Sequence, residues 1–305
     1  MQSIGKYCCR QGKISLFPLA SPPGVLARLL SNNDSLSRGF KKKIRSYNSV
    51  MAFASLGANI DNSLMGMSGA YCFRVHGSLY HQVGSLVPHD AGPPKFAQMY
   101  VYDTDHEVQN RMNALEGLDV STLQALSIMM RSCNPYANAF YNVGRLLHDT
   151  PNAEIRMTIC ENRSSSRQYL LAMRSYMPLL YVLLFPRGED GWHLKLPYAD
   201  VDVPTDALTN RQCVSQREYY AYRLQVRLDT NACLLRGGRL LQQFMVDAYC
   251  TIEDCHLSWV RNHQHTLRVE LYAGLINMAR SNEGDILGQS VGRRIVLPSS
   301  FTGVP

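Results

Sequence analysis

Lysine is scarce in this chain, with seven residues against twenty-four arginines among 305. Cationic chemistry here therefore rests on guanidinium groups, which suit bidentate contact with phosphates or carboxylates. No Gly-x-x-x-x-Gly-Lys-Ser/Thr string occurs: Gly5-Lys6 runs into Tyr7 and Gly12-Lys13 into Ile14. Without that loop there is no backbone cradle for nucleotide phosphates, so ATP hydrolysis by this chain is not expected. The most apolar run, Met177 to Phe185, contains Pro178 and is too short to span a bilayer; it reads as a buried strand. The stretch from Met1 to Gly12 is polar and carries Lys6 and Arg10, unlike a secretory leader. Nine cysteines lack disulfide-like spacing, which points to reduced thiols in an intracellular protein.

What is present fits a globular protein: 46% hydrophobic and 18% charged residues, with a formal charge of +7. The mild basic excess is compatible with nucleic-acid binding without establishing it. Cys8-Cys9 supplies two thiolates of a four-ligand zinc site at most, with no second pair beside them. Leu26 to Tyr47 reads as a helix interrupted near Asn32-Asn33. The run Lys41-Lys42-Lys43-Ile44-Arg45 is a solvated face, a phosphate contact or an import patch. Alternation over Ala70–Gly77, a turn at Gly77-Ser78, His81–Leu86 and Lys95–Asp103 predict consecutive antiparallel strands. Asp103-Thr104-Asp105 caps a helix through Arg111 and Leu115. A second helix carries Leu118, Leu123, Leu126 and Met130 on one face, and a third runs from about Pro135 to Leu147. Ala153–Ile159 alternates as a further strand. In the C-terminal part, Leu240, Phe244, Asp247/Ala248 and Ile252 line one helix face, with Arg236, Arg239 and Gln243 projecting from the rest.

Three constellations imitate catalytic sites. His76, His81 and His89 lack a common face: an odd separation along a strand puts two residues on opposite sides. His263-Gln264-His265 has the look of a metal pair, but its flanks Trp259, Val260, Leu267 and Leu271 are helically spaced. Residues i and i+2 of a helix diverge too far to share an ion, so the default is a solvent-facing pair. No two of Tyr219, Tyr220 and Tyr222 stand four residues apart, so core packing or base stacking is the expected use of these rings.

Several strings carry a family resemblance. They are Cys8-Cys9-Arg10-Gln11-Gly12-Lys13; Tyr71 to Gly77; His81 to Pro88; Pro94 to Asp103; Ser175 to Tyr181; Tyr181 to Trp192; Arg217 to Gln225; Leu234 to Phe244; and Leu297 to Gly303. In that order they resemble the Helitron-type rolling-circle transposon proteins, in which a replication-initiator (Rep) nuclease is fused to a DNA helicase. The resemblance covers most of residues 7–305 and departs near 168–174, where Tyr169 leads almost at once into Ser175.

The resemblance implies an N-terminal, non-catalytic portion: the nuclease histidine strand, paired tyrosines and helicase are expected beyond residue 305, along with the magnesium and ATP they use. It also implies single-stranded DNA as partner, a nuclear location and no membrane. Candidate DNA contacts are Arg217, Arg223, Arg227, Arg236, Arg239, Arg261, Arg293 and Arg294; no catalytic or cofactor residue is assigned, and the metal candidates are Cys8 and Cys9 alone. The expected fold is α+β, an N-terminal antiparallel sheet with helices followed by a mostly helical C-terminal region. It divides into a basic, cysteine-containing segment (1–46), a sheet-and-helix domain (47–194), a linker (195–211) and the helical start of the Helitron helicase-like domain (212–305). A degenerate fragment or a protein-interaction module without enzymatic activity is the alternative.

Overall fold

A computed structural model of the chain describes residues 9–60, 75–82, 94–101, 106–149, 174–199, 213–226 and 232–264. The chain sorts into two compact units, Met1–Ala248 and Tyr249–Pro305. The described residues are mostly helical, which overturns the expected N-terminal sheet. In order, the helices are α1 (Gly24–Ser31), α2 (Ser35–Lys42), α3 (Ile44–Met51), α4 (Gln98–Val101), α5 (Glu107–Ala114), α6 (Val120–Cys133), α7 (Pro135–Asp149), α8 (Tyr176–Leu180), α9 (Gln216–Arg223), α10 (Ala232–Leu235) and α11 (Arg239–Asn262).

Among the described residues the β pairing is one ribbon, β1 (Ser55–Ile60) antiparallel to β2 (Val75–Gln82) with an irregularity between Gly57 and Asn59, and an isolated antiparallel bridge between Pro197 and Cys213. β2 is one strand across Gly77-Ser78, where a turn was expected, but its pairing slips there: Gly57 faces Tyr80 while Asn59 faces His76, and His81 stands opposite Leu56. In place of the strand expected over Lys95–Asp103, residues 95–101 form a turn leading into α4, and Tyr102 and Asp103 lie outside the described residues. Phe96 sits at φ +51°, a left-handed conformation that an extended strand does not tolerate. Met99, Tyr100 and Val101 are consecutively buried, and so short an apolar run has no period by which to tell strand from helix. Met177–Phe185 is buried as expected, but as α8 and the turns after it. Pro178 falls in the first turn of α8, where a missing N–H costs nothing. Ala153–Ile159 and His89 lie outside the described residues.

Helices read from spacing fare better. The break at Asn32-Asn33 separates α1 from α2, whose N-cap Asp34 accepts a hydrogen bond from Ser37 N at 2.8 Å. Asp119 caps α6 in the same way, accepting from Thr122 N at 2.7 Å, and Leu123, Leu126 and Met130 are buried. α5 begins after His106, which makes no side-chain capping bond; Asp103-Thr104-Asp105 lies outside the described residues.

The core of the first unit forms around Phe53, whose ring meets those of Tyr100 at 4.6 Å and Phe140 at 5.3 Å. α7 packs on α4 so closely that a Cβ on Gly144 would stand 2.6 Å from the Val101 carbonyl oxygen. Asn48, buried on α3, donates from Nδ2 to Leu180 O at 2.7 Å and accepts from Leu183 N at 3.2 Å, which ties α3 to the segment after α8. Beside it, Arg111 is fully buried. Its guanidinium bonds Glu107 Oε1 at 2.7 Å, donates to Val50 O and lies 4.3 Å from the Tyr100 ring centroid, while Arg131 pairs with the other Glu107 oxygen. Phe244 of α11 closes a second cluster, with Tyr181 at 5.2 Å, Phe185 at 5.7 Å and Tyr220 at 5.8 Å.

Candidate nucleic-acid interface

α9 is fixed at its start by a capping box. Ser215 Oγ accepts from Glu218 N at 3.3 Å, and Glu218 Oε2 accepts from Ser215 N at 2.8 Å. Tyr198 Oη donates to the same carboxylate at 3.0 Å, and Arg10 reaches Oε1 at 3.2 Å. Burial opposes the charge on Glu218, but the bonds from Ser215 and Tyr198 and the nearby Arg10 outweigh it and hold the carboxyl below its usual value. The N-terminal segment and the 195–199 loop are thereby pinned to the helix that carries the first candidate arginines.

On that helix, Arg217 is exposed. Arg223 is half-buried: it lies 5.3 Å from the Tyr219 ring centroid and donates to Phe17 O at 2.7 Å, so part of its capacity holds the N-terminal segment. Arg236 is exposed and donates to Ser31 Oγ at 2.7 Å. Arg239, also exposed, is the first residue of α11 and follows Gly238 at φ +52°, a turn that favours glycine. Arg261 is exposed in the last turn of α11, within the second unit. Arg227, Arg293 and Arg294 lie outside the described residues. In the first unit, then, Arg217 and Arg239 face solvent and make no side-chain bond among the described residues, while Arg223 and Arg236 also anchor neighbouring chain.

The tyrosines belong to packing. Tyr219 and Tyr220 are buried edge to face at 5.4 Å, and Tyr219 Oη donates to Asp190 O at 3.1 Å. Burial pushes the Tyr219 phenol up, the wrong direction for a nucleophile. Tyr181 donates to Asp247 inside the Phe244 cluster, and burial raises both groups. The histidine of the metal-like pair ends a helix: His263 follows α11, stacks on Trp259 with centroids 4.4 Å apart, and brings Nδ1 to 2.8 Å from Trp259 O. His265 and Cys8 are outside the described residues. Cys9 lies at the start of a 3-10 turn, its carbonyl accepting from Gly12 N and Ile14 N at 3.0 Å each. Among the described residues, no three His, Cys, Asp or Glu side chains converge as metal ligands, and no helix is long and apolar enough to cross a membrane.

Sequence reasoning missed the buried Glu107–Arg111 pair and the Asn48 bridge. The i, i+4 spacing of Glu107 and Arg111 was visible, but on an exposed helix the same spacing makes an ordinary surface pair. Burial alone sets them apart.

No curated protein matches the chain. Residues 219–305 match the family described as the Helitron helicase-like domain at N-terminus, a match that starts inside α9 and takes in α10 and α11. Over those residues the chain is a Helitron helicase-like N-terminal domain, and so carries a transposon-related helicase N-terminal region.

Proposed function

We propose that this chain is the non-catalytic N-terminal portion of a Helitron-type replication-initiator and helicase protein, and that it positions single-stranded DNA in the nucleus. The family match over residues 219–305 carries the reading. Arg217 and Arg239 support it, as exposed guanidinium groups near the starts of α9 and α11. Arg239 also stands at the N-terminus of a 24-residue helix, where the backbone dipole adds positive potential toward an anionic strand. Arg261 extends the candidate set in the second unit.

Phosphate contacts release counterions, so affinity for a single strand should fall as salt rises, with a log–log slope of about −0.7 per contact. Fluorescence anisotropy of a labelled oligonucleotide over a salt series measures it. The double variant Arg217→Gln/Arg239→Gln should flatten the slope by about 1.4 on the same basis. Salt-independent affinity, or an unchanged slope in the variant, refutes the proposal.

A further inference from the structure

The positive charge of this chain is concentrated in a part of the sequence that precedes the family-matched segment. Residues 1–60 hold nine basic side chains and one acidic one, Asp34. The remaining residues hold twenty-two basic and twenty-three acidic, so they contribute no net positive charge. Within this N-terminal block, α2 and α3 are nearly continuous, joined at Lys43, and keep one helical phase. Phe40, Ile44, Tyr47, Asn48 and Met51 are buried. Arg38, Lys42, Arg45 and Ser49 fall on the opposite side at helical spacing, and all four are exposed.

The exposed face is chemically uncommitted. Arg38, Lys42 and Arg45 have no side-chain hydrogen bond or ion pair among the described residues. Two other cations of the run are engaged and brace the helix pair: Lys41 Nζ donates to Asn32 O at 2.6 Å, and Lys43 Nζ donates to Gly117 O. The one acid of the block is taken up as the α2 N-cap, bonded to Ser37 N and Ser37 Oγ. Asp119 borders the flank of the pair together with Lys43, and its carboxylate accepts from Ser121 Oγ and Thr122 N. No aromatic ring is available for base stacking: the two rings of this stretch, Phe40 and Tyr47, are buried against each other at 5.2 Å.

We infer that the Arg38–Lys42–Arg45 face is a second, independent nucleic-acid surface, and that it takes the phosphodiester backbone of duplex DNA without reading sequence. At about 1.5 Å rise per residue the three cations span roughly 10 Å. Duplex DNA presents one negative charge per ~1.7 Å of axis, so that span faces several phosphates at once. A surface with cations and no stacking platform suits a strand whose bases are already paired. This inference does not rest on the single-strand reading, because it uses different residues and a different ligand.

The test uses the full chain and a labelled random-sequence duplex in a salt series. The native protein should bind with salt-sensitive affinity. Arg38→Gln/Lys42→Gln/Arg45→Gln should flatten the slope by about 2.7, at roughly 0.9 per phosphate contact. Arg38→Lys/Arg45→Lys, which keeps the charge, should retain it. Lys42→Gln alone, expected to flatten the slope by about 0.9, serves if the triple variant does not fold. Three results overturn the inference: an unchanged duplex slope in the triple variant, tighter binding of single strands than duplex with both lost together, or charge-dependent binding to phosphatidylserine vesicles but not to DNA. Arg217→Gln/Arg239→Gln should leave the duplex slope intact, so the two proposals fail separately.

Discussion

Replacing Glu107 by alanine should be among the most damaging single changes in the first unit. Glu107 is 2% exposed and Arg111 is 0% exposed. Loss of the carboxylate leaves Arg111 charged in the interior, with the Val50 carbonyl and the Tyr100 ring as compensation. Breaking a buried pair from one side typically costs about 3–5 kcal/mol, because the stranded charge keeps its desolvation penalty. Arg131 is less affected, since its side chain is 35% exposed and can turn to water. Arg111→Met should cost a similar amount by a different route. Glu107 keeps Arg131, but Val50 O loses a donor, at about 1–3 kcal/mol, and the cation–π contact disappears. The double variant Glu107→Leu/Arg111→Met removes both charges together, so its cost should fall below the sum of the singles by at least about 2 kcal/mol. Chemical denaturation followed by far-UV circular dichroism gives all three values, with an unchanged m-value as the condition for comparing them. A Glu107→Ala cost under about 1 kcal/mol, in the range of exposed pairs, would refute the assignment of a desolvated ion pair. Additive singles would refute the coupling.

Two further perturbations test the architecture. Gly144→Ala should weaken the protein by about 1–3 kcal/mol through overpacking, since the new Cβ would meet the Val101 carbonyl at 2.6 Å; a neutral change in melting temperature would contradict that close approach. Asp119 is held below the usual carboxylate value by bonds from Ser121 and Thr122, so its stabilising effect is fully present above its unfolded value of about 3.9 and is lost as pH falls through the folded one. Asp119→Asn should therefore have a flatter melting temperature below about pH 4, and a profile parallel to wild type would refute the linkage.

The amphipathic helices were legible because their period is long enough to count. Leu123, Leu126 and Met130 in α6, and Leu240, Phe244, Ala248 and Ile252 in α11, are all buried as their spacing required. The break before Asp34 and the family likeness of the C-terminal segment were legible for similar reasons: a capping residue and an ordered set of strings are local signals. The segment Lys95–Asp103 was not. Its apolar residues are consecutive, so burial on both sides erased the alternation, and the left-handed Phe96 that ends any strand has no mark in its side chain. Met177–Phe185 failed as a strand for the same reason and succeeded as core.

The candidate site divides along the same line. Arginine types and positions come from the sequence, but which guanidinium is spoken for depends on chain remote from it. Arg223 meets Phe17 across 206 positions and Arg236 meets Ser31 across 205. Likewise, nothing local makes Arg111 an interior cation and Arg38 a solvent-facing one. Both are arginines on short helices, and packing against Val50, Tyr100 and Glu107 alone removes one of them from water. By itself the sequence determined the charge distribution, the helix periods and the family of residues 219–305. Tertiary structure decided which polar groups lost their water, because desolvation depends on neighbours that sequence order does not bring together.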